Sequence, residues 1–258
     1  MLISAHEHVT WPASGRADDP DWAHDEALIA AADRLGIATM ACSCLAPRPS
    51  TPDTFRAAND RTAAAIARFP GRVWGYAYVN PGYAREAVAE IDRCLALDDM
   101  VGVKLYNEYK ATDPAVRPVV EHCAARGLPI LWHQGHCTDP LPDQPSISDA
   151  ADLAWLANTC PELKLILAHI GGGGDWEWTI KQAAEAPTLY ADLSGSVVDE
   201  GMVEMAVEYL GADRLLFACD GSMCAGVGKL RGAQITPEDR GKIESETFLR
   251  LLGRSAPC

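Results

Sequence analysis

His6 and His8 stand two residues apart at the end of the first apolar run of the chain, Met1-Leu-Ile-Ser-Ala. If that run is a β-strand, side chains two apart share one side, and the two imidazoles make a chelate for a divalent metal. His133, His169 and Asp220 each close, or directly follow, a later apolar run. The chain has seven histidines, and four of them occupy such positions. Alone, each has a plainer reading: a strand-end histidine satisfied by hydrogen bonds, or, for Asp220-Gly221, a turn. Together, neutral imidazoles and one carboxylate suit Zn²⁺ or a similar first-row ion. The set predicts a metal-dependent enzyme with one or two ions per chain, zinc first among them.

Other residues gather around this set. Lys104 falls late in an apolar run and has two functional readings, a substrate-carboxylate anchor or a carbamate bridging two metals. A buried lysine paired with an acid is the structural alternative. His136, in Gln134-Gly-His-Cys, is expected over the site as a substrate contact, or in place of His133 as a ligand. His24 and His122 fall in helical segments and are expected at the surface. Cys42 and Cys44 are expected to line the pocket. Gly171–Gly174 is expected either to hold an anion or to form a turn that gives His169 room. Trp132, Trp176 and Trp178 are expected to line an aromatic-tolerant pocket or to pack against the body of the fold.

These residues need a frame that brings strand ends together. Apolar runs without clean polar alternation occur at Leu2–His6, Ile37–Cys42, Val73–Val79, Val101–Tyr106, Leu128–His133, Leu163–His169, Thr188–Leu193 and Arg214–Cys219. Such runs read as strands buried on both faces of a parallel sheet. Helical segments are predicted at Asp21–Leu35, Pro52–Phe69, Tyr83–Leu97, Asp113–Arg126, Ser148–Asn158, Asp175–Glu185, Asp199–Leu210 and within Pro237–Leu252. Pro140–Pro145 and Ser222–Gly232 are predicted loops. Strand and helix alternating eight times predict a single (β/α)8 TIM barrel over residues 1–258, with its site at the C-terminal ends of the strands. A doubly wound open sheet is the alternative, but no GxGxxG follows the first strand.

The 258 residues match the roughly 250 of such a barrel, and no linker or low-complexity tract marks a second domain. The formal net charge of −14 argues against nucleic acid and anionic membranes, which need clustered Lys and Arg. No apolar stretch is long enough to span a bilayer, and the first residues lack the charged start of a signal peptide. The nine cysteines, scattered through apolar runs and loops, read as reduced thiols. A cytoplasmic protein with a small-molecule substrate is expected, and a homo-oligomer is left open.

The segments Ala5-His-Glu-His, Gly102-Val-Lys-Leu, Ile130-Leu-Trp-His, Leu167-Ala-His-Ile-Gly-Gly, Tyr190-Ala-Asp-Leu-Ser-Gly and Leu216-Phe-Ala-Cys-Asp-Gly resemble the amidohydrolase superfamily. The likeness is greatest to its amidohydrolase-related branch, which includes decarboxylases and lactonases. The resemblance implies that His6, His8, His133 and Asp220 hold the metal. It implies that His169 either contacts the metal's water or ligates a second ion. Lys104 matches the place where binuclear members carry a carboxylated lysine, and where mononuclear members use a lysine otherwise. Ala5 departs from the pattern, in which an Asp often precedes HxH.

Two reactions are compatible with these residues. The first expectation is hydrolysis of a small lactone, amide or related carbonyl compound by a metal-activated water, with Asp220 as base and His169 orienting the water. The alternative is decarboxylation or hydration of an aromatic or unsaturated acid, in which Asp220 manages a proton at carbon. A non-catalytic binding protein on the same barrel is the third reading, and it gives no reason for all five site residues to be in place.

Overall fold

The computed structural model describes residues 1–12, 22–135, 144–172 and 175–255. Eight strands form one parallel sheet in sequential order: β1 (Leu2–His8), β2 (Ile37–Ser43), β3 (Val73–Tyr78), β4 (Met100–Leu105), β5 (Pro129–Trp132), β6 (Lys164–Leu167), β7 (Tyr190–Asp192) and β8 (Leu215–Leu216). Backbone hydrogen bonds close the circle: Ala5 N–H donates to Phe217 O at 2.8 Å and Asp220 N–H to His6 O at 2.9 Å. The expected (β/α)8 barrel is the observed fold.

Around it lie α1 (Trp22–Leu35), α2 (Pro52–Arg68), α3 (Ala84–Leu95), α4 (Arg117–Ala125), α5 (Ala150–Thr159), α6 (Trp176–Ala184), α7 (Met202–Leu210) and α8 (Met223–Gly232). Local chemistry starts several of them. Thr51 and Asp149 each form a capping box, and Pro52 begins α2 where its missing N–H costs nothing. The chain ends in α9 (Pro237–Gly241), a π-helical turn at Lys242–Glu246 and α10 (Thr247–Leu252). That turn frees the Ile243 carbonyl to accept from Phe217 N–H at 2.9 Å. This bond and the one from Ala5 engage the residue after Leu216, so β8 is shorter than the apolar run Arg214–Cys219 predicted.

Two cores result. Ile3, Ala5, Tyr76, Leu131, Ile166, Leu216 and Ala218 pack inside the barrel, with Phe248 and Leu251 of α10 closing its floor. The larger core joins the outer faces of the strands to α1–α8. The inner core explains an irregularity in β1. Ile3 and Ala5 face inward, so plain alternation would turn His6 and His8 outward. A register shift between Ser4 and Glu7 changes the parity and aims both imidazoles into the barrel.

Ser222–Gly232, expected as a loop, is instead largely helix α8. The buried side chains of Met223, Val227 and Leu230 supply an apolar face that outweighs its glycines.

Candidate metal centre

The inward side chains at the C-terminal mouth form a connected cluster. His6 Nε2 lies 3.3 Å from His8 Nε2 and 3.6 Å from Asp220 Oδ1, and His8 Nε2 lies 3.1 Å from the same oxygen. On the other side of Asp220, Oδ2 is 3.4 Å from His169 Nδ1. Donor atoms of His6, His8 and Asp220 lie within 4.8 Å of one another, as do those of His6, His169 and Asp192. His133 stands one imidazole further, its Nδ1 2.9 Å from His169 Nε2. The five expected residues therefore meet in one place, with His133 joined through His169.

The protonation states favour a cation. Burial and the neighbouring Lys104 push His6 down to about 3, so its imidazole is neutral and keeps a lone pair. Burial also lowers His169 and takes His133 well below its ordinary value. Burial alone would raise the Asp220 carboxyl, but the imidazoles of His6, His8 and His169 hold it far below the usual carboxylate range. Imidazole nitrogens and a carboxylate converging at this spacing fit a divalent ion.

A second layer orients them. Asp192, fully buried, accepts from His6 Nδ1 at 3.0 Å through Oδ2. Its Oδ1 accepts from His169 N–H at 3.0 Å and from Ser194 N–H at 2.9 Å. Ser194 Oγ in turn lies 2.9 Å from His169 Nδ1. His8 Nδ1 reaches Ser43 O at 3.0 Å, which leaves Nε2 for a metal. Glu7, pushed up to about 7 by burial, accepts from Gly221 N–H at 2.8 Å and so grips the Asp220 turn. The sequence reading gave no role to Asp192, Ser194 or Glu7. Asp192 had one signal, its place in Tyr190-Ala-Asp at a strand end.

Lys104 is fully buried, with Nζ 2.9 Å from His6 Nε2. Burial brings it down to about 8, against the pull of Asp220 and Asp192. The ring of Tyr106 stacks on His133 at 4.2 Å between centroids. A cavity of about 220 Å³ reaches His8 and Asp220 and is also lined by His24, Ala27 and Leu28. His24 is exposed, as expected, yet borders this approach to the site.

Several expectations move. His136 lies outside the described residues. Cys42 and Cys44 do not line the site; they are buried in the core between strands and helices. Trp132 is fully buried in that core, Trp178 is 60% exposed, and Trp176 donates to Asp199 at 2.9 Å. The tryptophans thus pack or face solvent rather than line a pocket. Gly171 and Gly172 serve the turn: a Cβ at Gly172 would sit 2.6 Å from that of His169, and one at Gly171 2.9 Å from Ser194 O.

Fold and site define a (β/α)8 barrel with a candidate divalent-metal centre at its C-terminal mouth. The amidohydrolase family model matches residues 3–254, so the chain belongs to the amidohydrolase family of enzymes. It is 24% identical to γ-resorcylate decarboxylase of Polaromonas sp. over 283 positions, covering 84% of this chain and 85% of the relative. Among solved structures it resembles 5-carboxyvanillate decarboxylase from Sphingomonas paucimobilis, with a TM-score of 0.74, 19% identity and coverage of 98% and 99% of the two chains. It also resembles the dihydroxybenzoic acid decarboxylase of Polaromonas sp. with bound manganese and 2-nitroresorcinol, with a TM-score of 0.75, 21% identity and coverage of 98% and 96%. At these identities the structural likeness establishes the fold.

Proposed function

We propose that this protein is a divalent-metal-dependent decarboxylase of an aromatic acid bearing a hydroxyl beside its carboxylate. The observation that carries the reading is Lys104, a cation buried against the His6–His8–Asp220 trio. Its ammonium suits a substrate carboxylate and has no necessary part in activating water. Similarity to γ-resorcylate decarboxylase supports the lyase over the hydrolase expected first.

In this reading His6, His8 and Asp220 hold the ion with His133 as a further nitrogen donor, and His169 stands beside them as the proton carrier. The ion is a first-row divalent metal, zinc or manganese, one or two per chain. When bound, it supplies Lewis acidity toward the carboxylate and the adjacent hydroxyl oxygen. Lys104 binds and orients the carboxylate in a water-poor site, where one charge pair counts for more than at the surface. The carbon–carbon bond to the departing CO₂ breaks and the ring carbon gains a proton, so each turnover takes up one proton. Asp220, ionised at rest, relays it: a proton arrives through His169, 3.4 Å away, and passes to carbon. The contact of His169 Nε2 with His133 Nδ1 at 2.9 Å fixes the plane of the His169 ring.

The test is release of CO₂ from ortho-hydroxy aromatic acids, measured beside hydrolysis of lactones and amides and beside metal content. Asp220→Asn should fold, keep part of its metal and lose roughly 10²–10⁴ in kcat. Lactone hydrolysis with no CO₂ from any aromatic acid would return the hydrolytic reading. Asp220→Asn activity within a few-fold of the parent, with metal retained, would remove Asp220 from the mechanism.

A further inference from the structure

We propose that Lys229 is a positioning residue of the site: its buried ammonium holds the segment after β7 so that Ser194 Oγ accepts from His169 Nδ1, the ring nitrogen that faces Asp220. The inference rests on the decarboxylase reading in one respect, that His169 carries the proton to Asp220.

The hydrogen bonds assign the protons one by one. Ser194 Oγ donates its single proton to Asp192 Oδ1 at 2.5 Å, so toward His169 Nδ1, 2.9 Å away, the same oxygen is an acceptor. His169 therefore carries hydrogen on Nδ1, which also lies 3.4 Å from Asp220 Oδ2. Its other nitrogen, Nε2, then accepts from His133 Nδ1 at 2.9 Å, and His133 Nε2 is left with a lone pair. One serine hydroxyl thus sets the tautomers of two histidines. It aims the hydrogen of His169 at Asp220 and keeps a nitrogen of His133 open to an ion.

That chain depends on where Ser194 stands, and Lys229 fixes its backbone. From α8, Lys229 Nζ donates to Gly195 O at 2.7 Å and to Ser194 O at 3.4 Å. Ser194 O also accepts from Gly171 N–H at 3.1 Å, just after His169. The ammonium thus clamps the segment after β7 against the turn after β6, and the fit is close. A Cβ at Gly195 would lie 2.5 Å from Gly171 O, and one at Gly171 would lie 3.0 Å from Lys229 Nζ. Lys229 is only 7% exposed, and among the described residues no carboxylate pairs with it. Burial lowers its ammonium, while the charge of Asp192 pulls it back up. For packing alone a buried ammonium bonded to neutral carbonyls is unfavourable, and a methionine would fill the same space. Its charge suits the buried Asp192 carboxylate across the segment it holds. Because α8 starts at Met223, one helix both follows the Asp220 turn and carries the cation that orients the partner of Asp220.

The experiment uses the zinc-loaded protein labelled with ¹⁵N at histidine, whose ¹H–¹⁵N spectra report which ring nitrogen bears hydrogen; His169→Asn assigns the signals. Release of CO₂ from ortho-hydroxy aromatic acids is measured beside it as kcat and KM. In the parent, His169 should be protonated on Nδ1. Lys229→Met should mix the two tautomers and lower kcat about tenfold, part of the roughly 10²–10⁴ that acid–base catalysis supplies, while KM and metal content stay within about twofold. Lys229→Arg keeps the charge and the donors and should restore both the tautomer and kcat. Lys229→Gln removes the charge and keeps an amide donor, and it takes the place of Lys229→Met if that variant does not fold. Ser194→Ala should lose the Nδ1 preference outright. A parent protonated on His169 Nε2 overturns the proposal. So does an unchanged tautomer in the uncharged Lys229 variants, or an equal loss of kcat in Lys229→Met and Lys229→Arg. If no acid releases CO₂ from the parent, the decarboxylase reading falls, and the spectra of the variants still decide the role of Lys229.

Discussion

His169 and Asp220 hold their backbones at φ 72° and 48°, in the left-handed region that side chains other than glycine seldom occupy. Such a conformation costs on the order of 1–3 kcal/mol and persists where surrounding bonds impose it. Here they do: His169 N–H is fixed by Asp192, and Asp220 N–H by His6 O. These two turns bring the carboxylate of Asp220 to 3.4 Å from the His169 ring. Asp192 serves both partners of the centre, and this gives a graded expectation for metal content. His8→Ala removes a donor and should lose most of the metal at micromolar protein. Asp192→Ala removes the group that orients His6 and should weaken metal affinity about 10–100-fold. Dialysis against a buffered metal series followed by elemental analysis reads both. Full occupancy of His8→Ala would exclude the trio as the binding site. The donor residues were legible because each ends an apolar run. Asp192 was not, since its contact with His6 spans 186 positions of sequence.

At the scale of elements, α8 is the instructive departure. Glycine costs a helix about 1 kcal/mol relative to alanine, and Gly226, Gly228 and Gly232 made this stretch read as a loop. The structure separates their roles. A Cβ at Gly226 would sit 2.8 Å from Cys219 Sγ and 3.0 Å from Ala218 O, so only glycine lets α8 approach the residues before Asp220. Gly228 is exposed and has nothing within 4 Å of such a Cβ. The two positions should therefore respond with opposite signs. Gly226→Ala should destabilise by about 1–3 kcal/mol through overpacking and also reduce turnover. Gly228→Ala should stabilise by up to about 1 kcal/mol through helix propensity. Urea denaturation of the two variants decides it, and equal effects would refute the packing argument. Strand β1 teaches the same lesson. Its apolar run ending in histidines was readable, but the register shift that brings His6 inward depends on the strand beside it.

For the molecule as a whole, stability toward acid turns on groups that tie layers together. Glu90 on α3 accepts from Asn59 Nδ2 of α2 at 3.0 Å and from Arg93 at 2.7 and 2.8 Å. Asn59 also bonds the Tyr78 backbone at the end of β3. Burial would raise the Glu90 carboxyl, but Arg93 and Asn59 bring it below its ordinary value. A carboxyl lowered on folding adds stability above its unfolded pKa, and that contribution is lost as pH falls through the folded value. Glu90→Gln should thus be less stable than the parent near pH 7, and the gap should narrow as the pH drops below about 4. Urea midpoints across that range measure it; a constant gap would mean that Glu90 acts by shape alone.

The alternation of apolar runs and amphipathic segments determined the (β/α)8 architecture and the end of the barrel where the site lies, because strand burial and helix periodicity are written locally. The residue types at the strand ends likewise determined that a metal was to be expected. What only the tertiary structure decided depends on distance through space. Packing density made α8 a helix and turned Cys42, Cys44 and Trp132 away from the site. The meeting of distant segments placed Asp192 behind His6, joined His133 through His169, and set Lys229 of α8 against the segment that carries Ser194. Contacts between strands and loops that are remote in sequence leave no periodic trace in it, so those relations exist only once the barrel has closed.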